Sequence, residues 1–292
     1  MKKIIILIPV YNDWASLKKL LDEINFSIQQ MKNIIFDCII VNDASTEPNS
    51  DIRVPANINS VQLINMKNNK GHARCNAFGI RYLAKRDDYD HVILMDGDGE
   101  DRPIEIQKLV EKALIDNNTS VVAKRVKRSE GIFFQSLYQI HKIVTLIFTG
   151  KNINFGNYSC LTINDIKTLS DKESLWSSFS GSLKKHILKL NSVNSIRGLR
   201  YFGPSKMSLY KLAIHSFSII AVFKRTVFLR SAILIILLSY LNLDEMNSVV
   251  ISTIQILIVI FNLLVFFVSL RENKLEFLES DKNELSSKVY KH

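Results

Sequence analysis

The sequence predicts an α/β domain with a mostly parallel sheet, followed by an interfacial helix and a two-helix transmembrane hairpin. Three observations lead there. Strand-length apolar runs alternate with helical periods through about residue 125. Clusters rich in Asp and Asn follow three of those runs. The last third carries two long apolar stretches, split by Asn242-Leu243-Asp244-Glu245-Met246-Asn247.

Residues 4–9 form an apolar run that reads as a buried strand. Residues 15–29 place Leu17, Leu20, Leu21, Ile24 and Ile28 on one helical face. Strands are expected at 36–41, 61–64, 91–95 and 121–123, and helices at 73–83 and 103–115, the latter opening on Pro103. Such an order implies a parallel sheet with helices on both faces, and ligands of such sheets sit at the carboxyl ends of the strands. Residues 9–13, 42–46 and 96–101 all fall at those ends, so three polar clusters are expected to converge on one edge. Residues 132–149, with Phe133, Phe134, Tyr138 and Phe148, suit either a core helix or a helix lying against a membrane.

Further on, residues 205–223 mix Lys206, Lys211 and His215 with Met207, Leu209, Leu212, Phe217, Ile219 and Ile220, a pattern for a helix in the lipid interface. Residues 226–243 are apolar except for Arg230, and residues 248–270 are almost unbroken. A span needs about 20 apolar residues. The second run meets this, and the first does so if Arg230 snorkels to the headgroups. Lys224, Arg225 and Arg230 lie at the start of the first run, Arg271 and Lys274 follow the second, and the loop between has Asp244 and Glu245 but no Lys or Arg. The positive-inside rule then puts both ends in the cytoplasm. The expected division is 1–204, a cytoplasmic catalytic domain; 205–225, an amphipathic interfacial helix; 226–270, two transmembrane helices; and 271–292, a charged cytoplasmic tail, helical or disordered. Met1-Lys2-Lys3 and the apolar residues after it imitate a signal peptide, but no small-residue cleavage site follows, so a strand is the better reading. A multi-pass protein of the cell membrane is expected.

The totals narrow the function. Lys and Arg number 38 against 28 Asp and Glu, a net charge of +10 that suits nucleic acid, anionic lipid or a phosphorylated substrate. No zinc-finger spacing and no basic recognition helix appears, which argues against nucleic acid. Cys38, Cys75 and Cys160 are too far apart for a CxxC pair and read as reduced thiols. Walker-type glycine loops, HExxH and GxSxG are absent. Asp96-Gly97-Asp98, at the end of an apolar run, places two carboxylates where they could hold one divalent cation, although Asp and Gly also make turns.

Four segments in order carry a resemblance: Ile8-Pro9-Val10-Tyr11-Asn12-Asp13, Val41-Asn42-Asp43-Ala44-Ser45-Thr46, Asn69-Lys70-Gly71-His72-Ala73-Arg74 and Met95-Asp96-Gly97-Asp98. Together they resemble the family-2 glycosyltransferases with the GT-A fold. Within that family the chain is similar to the polyprenyl-phosphate sugar synthases, a group that includes dolichol-phosphate mannose synthase and bacterial undecaprenyl-phosphate glucosyltransferases. Residues 96–105 match the extended acidic motif of that group, D-x-D-x-Q-D-P-P-E, and Phe202-Gly203-Pro204-Ser205-Lys206 resembles its G-x-S-K element. The resemblance covers roughly residues 3–210. Glu100 stands where the group has Gln, Arg102 where it has Pro, and Gly156-Asn157-Tyr158-Ser159 where many members have Gly-Asp-Phe-Arg.

The resemblance implies a role for each matching residue. Pro9 and Tyr11 would shape the nucleotide pocket, Asp13 would touch ribose or base, and Asp43 would accept hydrogen bonds from a uracil or guanine edge. Asp43 could instead cap a helix, as could Ser45 or Thr46. Lys70 and Arg74 would offset diphosphate charge, or form a solvated basic face. Asp96 and Asp98, with Glu100 completing the shell, would bind Mg²⁺ or Mn²⁺ against the diphosphate; hard oxygens suit these ions. Asp98 and Asp101 carry the catalytic expectation: Asp101 is the candidate base, unless it orients substrate or caps the helix near Pro103. Lys124, Arg125, Arg128, Arg197, Arg200 and Lys206 would meet the acceptor phosphate, or attract anionic headgroups in general. The implied activity is inverting transfer of a sugar from a UDP- or GDP-sugar to a polyprenyl (undecaprenyl or dolichyl) phosphate at the membrane; a homo-oligomer is compatible with it. Transfer to a saccharide hydroxyl of a lipid-linked glycan is the alternative within enzymes, and a non-catalytic membrane scaffold that binds nucleotide sugar is the alternative outside them.

Overall fold

The structure is a computed structural model that describes residues 1–48, 52–127, 132–203, 208–241 and 245–292. The chain opens with β1 (Lys2–Val10), α1 (Trp14–Ile28), β2 (Ile34–Asn42), β3 (Ser60–Met66), α2 (His72–Ala84) and β4 (His91–Leu94). A 3-10 turn at Pro103–Glu105 leads into α3 (Ile106–Ile115), then β5 (Val121–Lys127), α4 (Ile132–Thr149), β6 (Phe155–Thr162) and α5 (Ile163–Ser170). After α6 (Phe179–His186) and β7 (Asn191–Ile196) come α7 (Leu209–Ala221), α8 (Lys224–Leu241), α9 (Glu245–Ser269), α10 (Lys274–Leu278) and β8 (Glu284–Tyr290).

Eight strands form one sheet in the order β7-β5-β6-β4-β1-β2-β3-β8. β1 is flanked in parallel by β2 and β4, and β3 continues the parallel run. β6 is antiparallel to both β4 and β5, and β7 is parallel to β5. The alternation within β1 sorts its side chains between two cores. Ile4, Ile6 and Ile8 pack with Leu17, Leu20, Ile24, Ile106 and Leu109 of α1 and α3. Ile5 and Leu7 face the opposite layer, with Phe78 and Leu83 of α2 and with Leu169, Phe179 and Leu183. The signal-like N-terminal run is therefore a central buried strand. All three cysteines are buried and free.

The second core runs on into the C-terminal third. Ile219, Ile220, Val222, Phe223, Val227 and Val265 belong to it, so the end of α7 is buried in the domain while its start, at Leu209 and Tyr210, is exposed. α4 is packed on one side and exposed on the other. The tilted rings of Phe148 and Phe261 of α9 have centroids 4.4 Å apart, whereas Leu137, Ile140, Ile143 and Ile147 are exposed. α8 and α9 are joined by the Gln255 side chain, which donates to Ile235 O and Ser239 Oγ. Among the described residues one helical stretch, Ser248–Leu278, is long and apolar enough to cross a membrane. α8 has only 18 residues and begins with Lys224, Arg225 and later Arg230. Arg230 does not need headgroups to be satisfied: Nη1 donates to Ile147 O at the carboxyl end of α4, 2.9 Å away, where a helix terminus favours a cation.

The tail departs furthest from expectation. It holds a helix, the short α10, but then continues into β8, which pairs antiparallel with β3 and extends the sheet. Phe277 is 1% exposed, with the Arg81 guanidinium 4.6 Å above its ring and Trp176 beside it. Arg81 also donates to Leu278 O and Ser280 Oγ. Phe277→Ala is expected to cost about 3–5 kcal/mol of stability, whereas Leu278→Ala, at an exposed position, should stay within about 0.5 kcal/mol. Denaturant unfolding of the full chain in detergent checks both.

Candidate active site

The parallel strands deliver three loops to one edge. After β1, Asn12 takes a positive φ of 48°, its amide donates to Ser45 Oγ, and its side chain bonds Thr46. The loops after β1 and β2 are thereby tied together. Asp43, 3% exposed, caps no helix; its two oxygens accept the Lys70 and Gly71 amides at 2.8 Å each, which anchors the loop before α2. Burial pushes the Asp43 carboxyl above its ordinary pKa against those two hydrogen bonds.

The acidic loop after β4 is shaped by close approach. A Cβ on Gly97 would sit 3.0 Å from Pro9 O, and one on Gly99, at φ 91°, would sit 2.5 Å from the Tyr201 ring. Asp101, 4% exposed, does not cap the following turn; its Oδ2 accepts the Asp96 amide at 3.0 Å. Asp96 Oδ1 lies 3.1 Å from His72 Nε2 and accepts from Asn157 Nδ2 at 3.0 Å. Asn157 Nδ2 is also 2.7 Å from the His72 ring nitrogen.

These carboxyls share one crowded place, so their charges separate. Burial raises Asp98 to about 6, with Asp96 and Glu100 adding repulsion. Burial likewise raises Asp101 to about 7, with Asp96 next in effect and Arg125 opposing. Asp96 goes the other way. Burial would raise it, but His72 and the Asn157 amide hold it well below the usual carboxylate range. Burial would lower His72, and the facing Asp96, with Asp98 and Asp101, raises it overall.

Residues 197–202, after β7, lie across this loop as a strap. Gly198 N donates to Glu100 O at 2.8 Å and Tyr201 N to Asp98 O at 2.9 Å. The Arg197 guanidinium pairs with Glu100. Arg200 bridges two loops: Nη1 donates to Asp98 Oδ2 at 2.9 Å and Nη2 to Asp13 Oδ2. Tyr201 OH donates to Glu23 Oε2 at 2.5 Å.

Asp13, Asp96, Asp98, Glu100, Asp101, Arg125, Arg197 and Arg200 are thus gathered at one edge, with buried Pro9 and the half-exposed Tyr11 at the end of β1. Arg125 lies against Gly156, 3.8 Å from Asp101. Lys124 is exposed on β5. Lys70 and Arg74 turn instead toward the tail: Lys70 Nζ meets Glu276 at 3.1 Å, and Arg74 donates to Lys70 O and Arg271 O above the Trp176 ring. Arg128 and Lys206 lie outside the described residues. From the Asn69–Arg74 motif it is His72 that enters the acidic cluster, and sequence reasoning missed it together with Asn157. Both stood inside quoted motifs, but neither had a spacing that marks a partner.

The donor set fits a divalent cation of the Mg²⁺ type. It consists of hard carboxylate oxygens, and among the described residues no group of three or more His, Cys, Asp or Glu forms a ready cage. Mg²⁺ is commonly held by one or two carboxylates, with phosphates and water filling the rest of its shell. Asp96 and Asp98 can supply the protein share. A cavity of about 620 Å³ between residues 52–56 and 289–292 is lined by Arg53, Lys291 and His292 and, among the described residues, by no carboxylate side chain; it is not part of this cluster.

An α/β sheet with an acidic loop at its carboxyl edge and an antiparallel β6 beside β4 defines the GT-A class. The sequence description "Glycosyl transferase family 2" matches residues 5–179, and the chain belongs to that family. It is similar to undecaprenyl-phosphate 4-deoxy-4-formamido-L-arabinose transferases of Salmonella choleraesuis and Salmonella paratyphi B, each 27% identical over 165 residues, 55% of this chain and 47% of the relative. The chain thus matches about half the length of those curated relatives. Among solved structures it is similar to glucosyl-3-phosphoglycerate synthase from Mycobacterium tuberculosis with Mn²⁺, UDP-glucose and phosphoglyceric acid, at a TM-score of 0.52 and 17% identity, covering 77% of this chain and 80% of that one. The same enzyme with Mn²⁺ and UDP-glucose alone gives a TM-score of 0.51 at 15% identity, covering 77% and 79%. These structures share the fold.

Asn157→Asp would set a second carboxylate beside His72 and Asp96. The nearby negative charge favours the charged imidazole, so the His72 pKa should rise further. NMR titration of the His72 ring protons against the unsubstituted chain reads the shift; an unchanged or lower value would contradict the assigned contacts.

Proposed function

We propose that the protein is a membrane-anchored, divalent-metal-dependent glycosyltransferase that moves one sugar, with inversion, from a nucleotide sugar to a polyprenyl phosphate on the cytoplasmic face. One observation carries this reading: His215 of α7 interacts electrostatically with His72, Arg125 and Asp96 of the acidic edge, and α7 leads directly into the apolar α8–α9 pair. The names of the curated relatives and the ligands of the solved neighbours point the same way.

Asp96 and Asp98 would hold the cation, which supplies Lewis-acid stabilisation of the departing diphosphate. Pro9, Tyr11 and Asp13 border the place for the nucleoside. Glu100 is engaged by Arg197 and serves to hold the strap. An acceptor phosphate oxygen attacks the anomeric carbon as the bond to the nucleoside diphosphate breaks on the opposite side. Asp101 bears on the choice of acceptor. A sugar hydroxyl needs a base within reach of its proton. Asp101 is buried, and one of its oxygens is committed to the Asp96 amide. That supports an acceptor already ionised, for which positioning and charge compensation suffice. Arg125, beside Gly156 at the same edge, is placed to compensate the acceptor phosphate.

The anchoring also has a physical basis. At the start of α8, Lys224 Nζ bonds Glu272 beyond the end of α9 at 2.8 Å, and β8 then pairs with β3. Both ends of the α8–α9 pair are therefore fastened to the same domain. If α9 crosses a bilayer, α8 must cross it as well, and the last turn of α8 and the first turn of α9 face the other side. Single cysteines introduced at Asn247 and Glu279 test this in intact cells: a membrane-impermeant maleimide should label the first and spare the second, and the reverse pattern would overturn the topology.

For the activity, the purified chain is mixed with Mn²⁺, undecaprenyl phosphate and a panel of UDP- and GDP-sugars, and lipid products are read by mass spectrometry. A mono-glycosylated lipid phosphate is expected with at least one donor. Asp98→Ala should lower its formation by about a hundredfold or more while the fold persists. Product only on a longer glycan, with polyprenyl phosphate inert, would overturn the acceptor assignment.

A further inference from the structure

We infer that Arg200 is a built-in counter-cation of the acidic site, holding Asp13 and Asp98 together in the unloaded enzyme and giving up Asp98 when a divalent cation binds. The inference rests on the reading above that Asp98 takes part in holding the metal. Arg200 bridges the loops after β1 and β4: one guanidinium nitrogen donates to Asp98 Oδ2, another to Asp13 Oδ2, and Nε donates to Phe202 O at 3.1 Å. Its side chain is 16% exposed and those of the two acids 17% and 20%, so these charges are largely withdrawn from water and need one another.

Asp98 Oδ1 already accepts the Glu100 amide at 3.1 Å and Oδ2 holds the guanidinium at 2.9 Å, so a cation that takes Oδ2 meets Arg200 at contact distance, where the two positive charges repel. Loading is therefore an exchange. The cation takes Asp98, and the displaced guanidinium is left beside the anionic diphosphate that accompanies the cation, for which its planar fork is suited. The strap moves with it, because Tyr201 N on Asp98 O and Gly198 N on Glu100 O fasten the same segment to the same loop. Arg200 is a positioning residue in this account: empty, its charge offsets part of the repulsion between Asp13 and Asp98 and shapes the site; loaded, the same charge serves the leaving group.

Mn²⁺ binding to the full chain in detergent, followed by EPR without any sugar donor, separates this from a purely structural role. With the competing cation removed, Arg200→Gln should bind Mn²⁺ about tenfold more tightly than the unsubstituted chain. Addition of UDP should shrink or reverse that advantage, because only the unsubstituted chain can offer its freed guanidinium to the diphosphate. Arg200→Lys, which keeps one charge but cannot bridge both acids, should fall between, and it serves if Arg200→Gln does not fold. Equal or weaker Mn²⁺ binding by the variants without UDP would overturn the inference, since a residue that merely props up Asp98 should weaken the site when lost. Asp98→Asn keeps the two readings apart: if it binds Mn²⁺ as well as the unsubstituted chain, the metal assignment itself falls, and the exchange with it.

Discussion

Everything at the carboxyl edge of the sheet depends on keeping several carboxylates close together at low exposure. Asp96, Asp98 and Asp101 fall within six residues of chain, and an isolated buried carboxylate is costly. The protein meets the constraint by partnering each acid differently. His72 and Asn157 serve Asp96, the arginines of the strap serve Asp98 and Glu100, and Asp101 is turned inward onto a backbone amide with Arg125 nearby. The result is a split within one loop, with Asp96 held ionised while burial and mutual repulsion push Asp98 and Asp101 up.

The remainder of the molecule delivers these partners. β1, β2 and β4 supply the loops, β6 brings Asn157 beside β4, and β7 hands the chain to the strap. The C-terminal tail then returns to the far edge of the same sheet, so the apolar pair of helices is closed at its base instead of hanging from one end. In a bilayer, such a closed base would fix the height of the acidic edge relative to the headgroups.

The legible part of the fold is the part whose residues decide their own structure. β1, β2 and β4 are buried on both faces and read as continuous apolar runs. α1 and α2 carry clear helical periods. β6, β7 and β8 were not legible. Gly156, Asn157 and Ser159 interrupt the first, Asn and Ser make up most of the second, and the third is largely exposed with Lys288 and Glu284 on it. Such strands are specified by the neighbours they pair with more than by their own side chains. The same holds for the site. Asp96, Asp98 and Asp101 announce themselves by spacing, whereas the tie between Arg200 and Asp98 spans 102 residues and has no local signature. Lys70 and Arg74 sit in a recognisable motif, yet the charged C-terminal tail draws both side chains to itself.

The most direct test is a structure of the full chain with Mn²⁺ and a nucleotide sugar, using the anomalous signal of the ion. The account predicts a manganese peak between the Asp98 carboxylate and the diphosphate, with the Arg200 guanidinium gone from Asp98. A diphosphate bound at this edge with no ion against Asp98, or with Arg200 still bridging Asp98 and Asp13, would contradict it.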